Sequence, residues 1–364
     1  MKNSQFHIDF KLNENSFSSV NDLLVYSKTL SGTIHEFLQE WFSKNDIIVV
    51  KTSGSTGKPK WIQLKKEFMV NSALATGEFF DLKEKTTALL CMSVEYIAGK
   101  MMLVRALVLG WQIDVIEPKS NPLLGLNKMY DFSAMVPMQL QNSLSEIEKV
   151  KKLIVGGGVV SKELEKQIQG VSTEVFATFG MTETITHIAV KKFNQFNNVI
   201  SSGVEESHYV VLPNVLMSQD KRNCLVIDAP KVSEVQIITN DVVQLISESA
   251  FKWLGRYDNV INSGGVKLHP EEIEKKLSQI IEQRFFVSGV SDEILGEKLI
   301  LIVEENSISK DIESSLRNKL NHSLMKSRNL SKYELPKNIY FVSQFIETET
   351  NKIQRGKTMS LLSL

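Results

Sequence analysis

The segment KTSGSTGKPK, residues 51–60, follows the β-branched run DIIVV and breaks with it abruptly. It carries Gly54, Gly57 and Pro59, hydroxyls at Thr52, Ser53, Ser55 and Thr56, and lysines at 51, 58 and 60. A chain that leaves a buried strand into so flexible and cationic a loop points to a phosphate. Glycines let backbone N–H groups approach an anion, hydroxyls donate further hydrogen bonds, and lysines add charge. Spacing excludes two common phosphate loops. The position five before Gly57 is Thr52 rather than glycine, and Lys58 is followed by Pro59 rather than a magnesium-binding hydroxyl, so this is no G-x-x-x-x-G-K-[ST] loop. A G-x-G-x-x-G fingerprint is also absent.

Outward from the loop, strand and helix patterns alternate. KKEFMVNSALATGEFF spaces Phe68, Ala75 and Phe79 as a helix, and TTALLCM reads as a strand. IAGKMMLVRALVLG is a helix ending at Gly110, and WQIDVIE and DFSAMV are strands. Pro137 opens a helix, KKLIVGGG is a strand running into glycines, Ser161 caps a helix, and TEVFATF is a further strand. This alternation predicts an α/β large domain with a mainly parallel sheet, whose ligands bind at the carboxyl ends of the strands. The glycine loop, GGG and FGMTET all follow strands, so they are expected to converge at one edge.

From about residue 185 to 246 short strands succeed one another without helices, which suggests an antiparallel β subdomain or small barrel packed on the first part. After Tyr257 the pattern is that of a small α+β domain. The expected division is 1–256 for the large domain and 257–364 for a mobile C-terminal domain.

The 364 residues suffice for such a pair of domains, and 42 basic residues balance 42 acidic ones. That balance gives no global attraction to nucleic acid or anionic lipid. Cys91 and Cys224 sit in apolar surroundings and read as reduced thiols of a cytoplasmic protein. No apolar run reaches bilayer-spanning length, and the N-terminus shows no secretory h-region. The six histidines, His187 among them, are scattered and suggest no metal site.

TSGSTGKPK resembles the phosphate loop of the adenylate-forming enzymes, the superfamily of acyl-CoA synthetases, peptide-synthetase adenylation domains and luciferases. FATFGMTETI resembles their aromatic-Gly-Met-Thr-Glu-Thr motif. TND at residues 239–241 stands where Thr-Gly-Asp is expected, with Asn240 in place of glycine. GRYDNVINSGGVKLHPEEIE resembles the hinge and glycine-turn motif, and TETNKIQR the C-terminal lysine motif, with Asn351 in place of its usual glycine. The glycine loop begins at residue 52, so the N-terminal part of the large domain is shorter than is usual in the superfamily. Within it, SVEYIAGKMMLVRAL and VGGGVVSKEL most resemble the o-succinylbenzoate–CoA ligases of menaquinone biosynthesis, with Tyr96 in place of a common histidine and Arg105 matching an arginine.

The resemblance implies an AMP-forming acid–thiol ligase. Thr52, Ser53, Gly54, Ser55, Thr56, Gly57 and Lys58 would hold the ATP phosphates. Glu183 would bind Mg2+ and Thr182 the α-phosphate. Gly156, Gly157, Gly158, Phe179, Gly180 and Met181 would wall the adenine and acyl group. Asp241 and Arg256 would take the ribose, and Lys352 would bridge the α-phosphate and the incoming carboxylate. Tyr96, Arg105 and Gly180 would contact the acid. Asp258 would be the hinge about which the small domain turns, bringing Gly264 and Gly265 to a CoA tunnel. Implied partners are a small carboxylic acid, ATP and CoA, with no nucleic acid or membrane span; a homodimer is among the assemblies allowed.

Read without the resemblance, Glu183 has the alternative of a helix-capping carboxylate, and Arg105 that of a surface charge, although its apolar neighbours Leu103, Val104, Ala106 and Leu107 favour burial; Tyr96 is equally core packing. Lys357, which follows a glycine, rivals Lys352. A carrier-protein-loading adenylating enzyme and a non-catalytic nucleotide-binding module stay open beside the ligase.

Overall fold

The computed structural model describes residues 5–51, 60–194, 208–306, 310–326, 330–348 and 353–362. The chain begins with β1 (Lys11–Leu12), helices α1 (Val20–Ser27) and α2 (Gly32–Phe42), and a hairpin of β2 (Ile47–Lys51) and β3 (Trp61–Lys65). There follow α3 (Lys66–Phe80), β4 (Thr87–Leu90), α4 (Ile97–Leu109), β5 (Gln112–Val115), β6 (Tyr130–Met135), α5 (Pro137–Asn142), β7 (Val150–Val155), α6 (Lys162–Gln167) and β8 (Glu174–Gly180). The strands β1, β5, β4, β6, β7 and β8 lie side by side in that order, and all are parallel. β5 flanks β4 on one side and β6 flanks it on the other. The winding direction therefore reverses at β4, and such a reversal leaves a crevice at the carboxyl ends of the strands.

The strand that precedes the glycine loop differs from expectation. β2 pairs only with β3, antiparallel, from Ile47 opposite Lys65 to Lys51 opposite Trp61, and stands outside the large sheet. Ile48 and Val50 are buried while Val49 is exposed, because a two-stranded ribbon covers one face only.

Six more strands, β9 (His187–Lys192), β10 (Tyr209–Val211), β11 (Leu216–Gln219), β12 (Cys224–Asp228), β13 (Ile237–Ser247) and β14 (Ala250–Arg256), extend the parallel set into one twelve-stranded sheet. β8 and β9 pair antiparallel, with Gly180 opposite His187, and every later pairing in this sheet is antiparallel. A smaller sheet contains β15 (Ile261–Ser263), β16 (Val266–Leu268), β17 (Phe285–Asp292), β18 (Gly296–Glu304) and β19 (Asn338–Val342), with helices α7 (Pro270–Leu277), α8 (Lys310–Lys326) and α9 (Arg355–Met359).

Strand alternation divides the core of the large sheet. Ala88 and Leu90 face the cluster built with α3 and α4, and Leu89 faces the cluster containing Leu140 and Leu164. α4 is apolar on most of its surface apart from Lys100 and Arg105, and its stretch Met101–Val108 is buried. The short N-terminal region supplies part of that enclosure: Phe10, Phe37 and Trp41 join the same cluster, and β1 adds an edge strand beside β5.

Candidate active site

The carboxyl ends of neighbouring strands gather the expected motifs. β7 runs into Gly156, Gly157 and Gly158, and β8 runs through Gly180 into Met181 and the turn Thr182–Thr184. Gly180 is required by close approach, since a Cβ there would lie 2.1 Å from the carbonyl oxygen of Thr186. β3 touches the Thr182–Thr184 turn, so the hairpin whose connection is the glycine loop stands at the same edge. The loop residues Thr52 to Lys58 and the expected catalytic Lys352 lie outside the described residues. Glu183 is exposed and Thr182 half-buried. Phe179 sits in an aromatic cluster, its ring 5.7 Å from that of Tyr209 and 5.2 Å from that of Phe251.

Immediately past this turn the backbone is strained. Ile185 has φ +65° and ψ −62°, and the Thr186 N–H donates to the Thr184 carbonyl at 2.7 Å. This is a γ-turn of the rare hand, costly for a β-branched residue. It turns Thr186 and His187 toward Arg105 on α4. Arg105 is 2 % exposed. Its Nε donates to Thr76 Oγ1 and its Nη2 to Thr186 Oγ1, both at 3.2 Å, while Nη1 meets Met102 Sδ at 3.8 Å. None of these partners is a carboxylate, and burial alone pulls the guanidinium pKa down to about 9. The resemblance implied that Arg105 contacts the acid; the structure encloses its fork among α3, α4 and the γ-turn. Thr186 Oγ1 lies 2.9 Å from His187 Nδ1, and the buried Nε2 of His187 has no hydrogen-bond partner among the described residues. Burial, then the charge of Arg105, hold the His187 pKa well below the usual histidine range. His187 also lines a cavity of about 260 Å3 between α3, the start of β9 and residues 212–215.

The expected ribose residues form a second cluster. Asp241 is 7 % exposed; it accepts from Trp253 Nε1 at 2.9 Å and from Arg256 Nη1 at 3.5 Å. Asn240, which replaces the expected glycine, donates through Nδ2 to Asp258 Oδ2 at 3.2 Å and accepts from Arg222 Nη1 at 2.9 Å. The Arg222 guanidinium lies 5.0 Å above the Tyr257 ring. Tyr257 and Asp258, the expected hinge position, are thus tied to the large sheet by side chains.

Tyr96 occupies the N-cap position of α4 without a side-chain cap bond and is 48 % exposed. Lys100 turns the other way, its Nζ 4.7 Å over the Phe37 ring. Gly264 and Gly265 form the two-residue turn between β15 and β16, with φ +57° and +81°. Positive φ at both central residues defines a type I′ hairpin and accounts for the glycine pair. A Cβ on Gly265 would meet nothing within 4 Å. Arg355 donates to Glu274 Oε2 at 2.8 Å and to the Val287 carbonyl at 3.1 Å, fixing α9 against α7 and β17; Lys357 is exposed on α9. Sequence reasoning missed Thr76, Thr186, His187, Arg222 and Trp253. The available signal was position for Thr186 and His187, two and three residues past TET at a strand start; the others carried none.

The profile of the AMP-binding enzyme family matches residues 7–213. A solved structure of an acyl-CoA synthetase (AMP-forming)/AMP-acid ligase II-like protein from Dyadobacter fermentans is 36% identical, with a TM-score of 0.59 over 93% of this chain and 98% of that one. The chain belongs to the AMP-binding enzyme family, and its class is that of an adenylate-forming acid–CoA ligase. Among curated relatives, the 2-succinylbenzoate–CoA ligase of Listeria monocytogenes is 26% identical over 88% of this chain and 71% of its own length. The O-succinylbenzoate coenzyme A synthetase of Bacillus subtilis, solved with ATP and a magnesium ion, shares the fold with a TM-score of 0.67 at 18% identity, over 94% and 82% of the two chains. No helix among the described residues is long and apolar enough to cross a membrane.

Proposed function

We propose that this enzyme converts o-succinylbenzoate, ATP and CoA to o-succinylbenzoyl-CoA, AMP and pyrophosphate through an acyl-adenylate. The observation that carries the substrate assignment is Arg105, a buried guanidinium without a carboxylate partner among the described residues. Burying such a charge is costly unless an anion meets it. o-Succinylbenzoate has one carboxylate to activate and a second, on the ring, that must be recognised without reacting. The names of curated relatives agree with this assignment.

In the first half-reaction the nucleophile is already a carboxylate, so no general base is needed. Rate comes from positioning two anions and stabilising the charge that accumulates between them. Lys352 and the glycine loop would supply that charge, and Asp241 with Arg256 would receive the ribose. Glu183 fits a magnesium site: it is an exposed carboxylate at the strand-end edge, and magnesium is commonly held by one or two carboxylates together with substrate phosphates. When bound, the ion neutralises phosphate charge. In the second half-reaction the CoA thiolate attacks the acyl-adenylate. We assign residues 1–256 and 257–364 to separately moving domains, with Asp258 as hinge and the Gly264 and Gly265 turn at the pantetheine. A second reading, loading of a carrier protein, differs only in what bears the thiol. Pyrophosphate release, screened over aromatic and dicarboxylic acids with and without CoA, tests both. Turnover of o-succinylbenzoate without any CoA-dependent thioester would favour the carrier-loading reading.

A further inference from the structure

Asp241 is held from three sides, one of them reached only through an irregularity in the sheet. Its backbone N–H donates to Thr239 Oγ1 at 3.0 Å. Its carboxylate accepts at Oδ1 from Trp253 Nε1 at 2.9 Å, and Oδ2 lies 3.5 Å from Arg256 Nη1. Arg256 stands directly opposite Asp241 across the β13–β14 ladder, so its approach follows from simple pairing. Trp253 is different. Pairing runs from Asp241 opposite Arg256 to Val242 opposite Gly255, then passes over Leu254 and resumes with Val243 opposite Trp253. In an unbroken ladder Trp253 would oppose Gln244, on the face away from Asp241. The one-residue bulge turns the indole to the face of the carboxylate. Gly255, with φ +141°, supplies the backbone conformation beside the slip.

The two donors leave room for a diol. A carboxylate oxygen offers two lone pairs. Trp253 occupies one on Oδ1, and Arg256, at 3.5 Å, makes only a long contact with Oδ2. Each oxygen therefore keeps an acceptor site, and the indole fixes the plane in which the two sites lie. Neighbouring hydroxyls, as on a ribose, match such a pair. A carboxylate free to turn would instead have to be ordered by the ligand, at the expense of affinity.

We propose that Trp253 is a positioning residue for the nucleotide, its indole N–H fixing the Asp241 carboxylate so that both oxygens accept from the vicinal hydroxyls of the ribose. The proposal rests on the reading of Asp241 as the ribose-binding residue and deepens it: Trp253 sets how strongly the enzyme prefers ATP to a nucleotide without those hydroxyls. The ring itself provides the controls. Histidine carries a ring nitrogen two bonds beyond Cγ, where tryptophan carries Nε1, and can donate from it. Phenylalanine keeps a flat ring without a donor.

The test measures pyrophosphate release by the full chain with ATP and with 2′,3′-dideoxy-ATP. Trp253→Phe should raise KM for ATP by about tenfold or more, as when one hydroxyl loses its hydrogen bond to a charged acceptor, and change KM for dideoxy-ATP by less than about twofold. Trp253→His should hold KM for ATP within about threefold of the wild type. Equal losses on both nucleotides, or Trp253→Phe with unchanged KM for ATP, overturn the proposal. Asp241→Asn tests the reading beneath it. If Asp241→Asn loses ATP selectively and Trp253→Phe does not, the role of Trp253 alone falls. If Asp241→Asn treats the two nucleotides alike, the ribose assignment falls and the proposal with it. Nitrogen-15 NMR of the tryptophan-labelled wild type gives a readout without turnover. ATP should shift the indole N–H resonance of Trp253, the one that Trp253→His removes, more than dideoxy-ATP does. Equal shifts also overturn the proposal.

Discussion

Replacing Arg105 by methionine should make the empty protein more stable and the enzyme less selective. Burial pulls the guanidinium pKa down to about 9, so the group is still charged at pH 7. Holding that charge in the interior without a carboxylate partner costs on the order of 5 kcal/mol in the free protein. Against it stand the hydrogen bonds to Thr76 and Thr186, worth about 1 kcal/mol each. Thr76 Oγ1 keeps its bond to the Ser72 carbonyl when the arginine is gone. Arg105→Met should therefore gain about 2–3 kcal/mol, within the range found when buried ion pairs are replaced by apolar side chains. At roughly 2 °C per kcal/mol, Tm should rise by about 5 °C. In parallel, KM for o-succinylbenzoate should rise at least about tenfold, since a charged hydrogen bond contributes about 1.5–3 kcal/mol, while KM for ATP and for 4-oxo-4-phenylbutanoate should hold. The assays are a thermal scan and pyrophosphate release. A fall in Tm, together with equal kinetic damage for both acids, would show that Arg105 serves the fold and not the substrate.

Lys352→Ala should slow adenylate formation by two to three decades, about 3–4 kcal/mol at a developing charge, and spare thioester formation from supplied acyl-adenylate; a larger first-step loss in Lys357→Ala would reassign the role. Gly265→Leu should block the CoA step with ATP–pyrophosphate exchange preserved. Because φ there is +81°, the control is Gly265→Asn, which tolerates the left-handed turn and separates bulk from strain. Asn240→Gly removes the amide that holds Asp258, and losing about 1 kcal/mol should speed proteolytic cleavage at the hinge about fivefold; an unchanged cleavage rate would mean that Asn240 does not restrain it.

Sequence by itself determined the class of fold and the order of its motifs. Period and punctuation are local properties. The apolar α4 ending at Gly110, the strands running into Gly156 and Gly180, and the glycine pair that demands two positive φ values are all written in adjacent residues. Tertiary structure alone decided which side chains meet. The apolar neighbours Leu103, Val104, Ala106 and Leu107 pointed to a buried Arg105 without proving it; which groups enclose it was decided by α3 and the γ-turn at Ile185, 29 and 81 residues away. The same holds for His187, an isolated histidine in the sequence that is buried beside Thr186 and Arg105 only in the assembled chain. Likewise β2 was legible as a strand, but its exclusion from the large sheet was set by pairing with β3, and the continuity of parallel and antiparallel halves by the antiparallel pairing of β9 with β8. Alternation of side chains along a strand is encoded locally; the partner of that strand, and the water it excludes, are properties of the assembled chain.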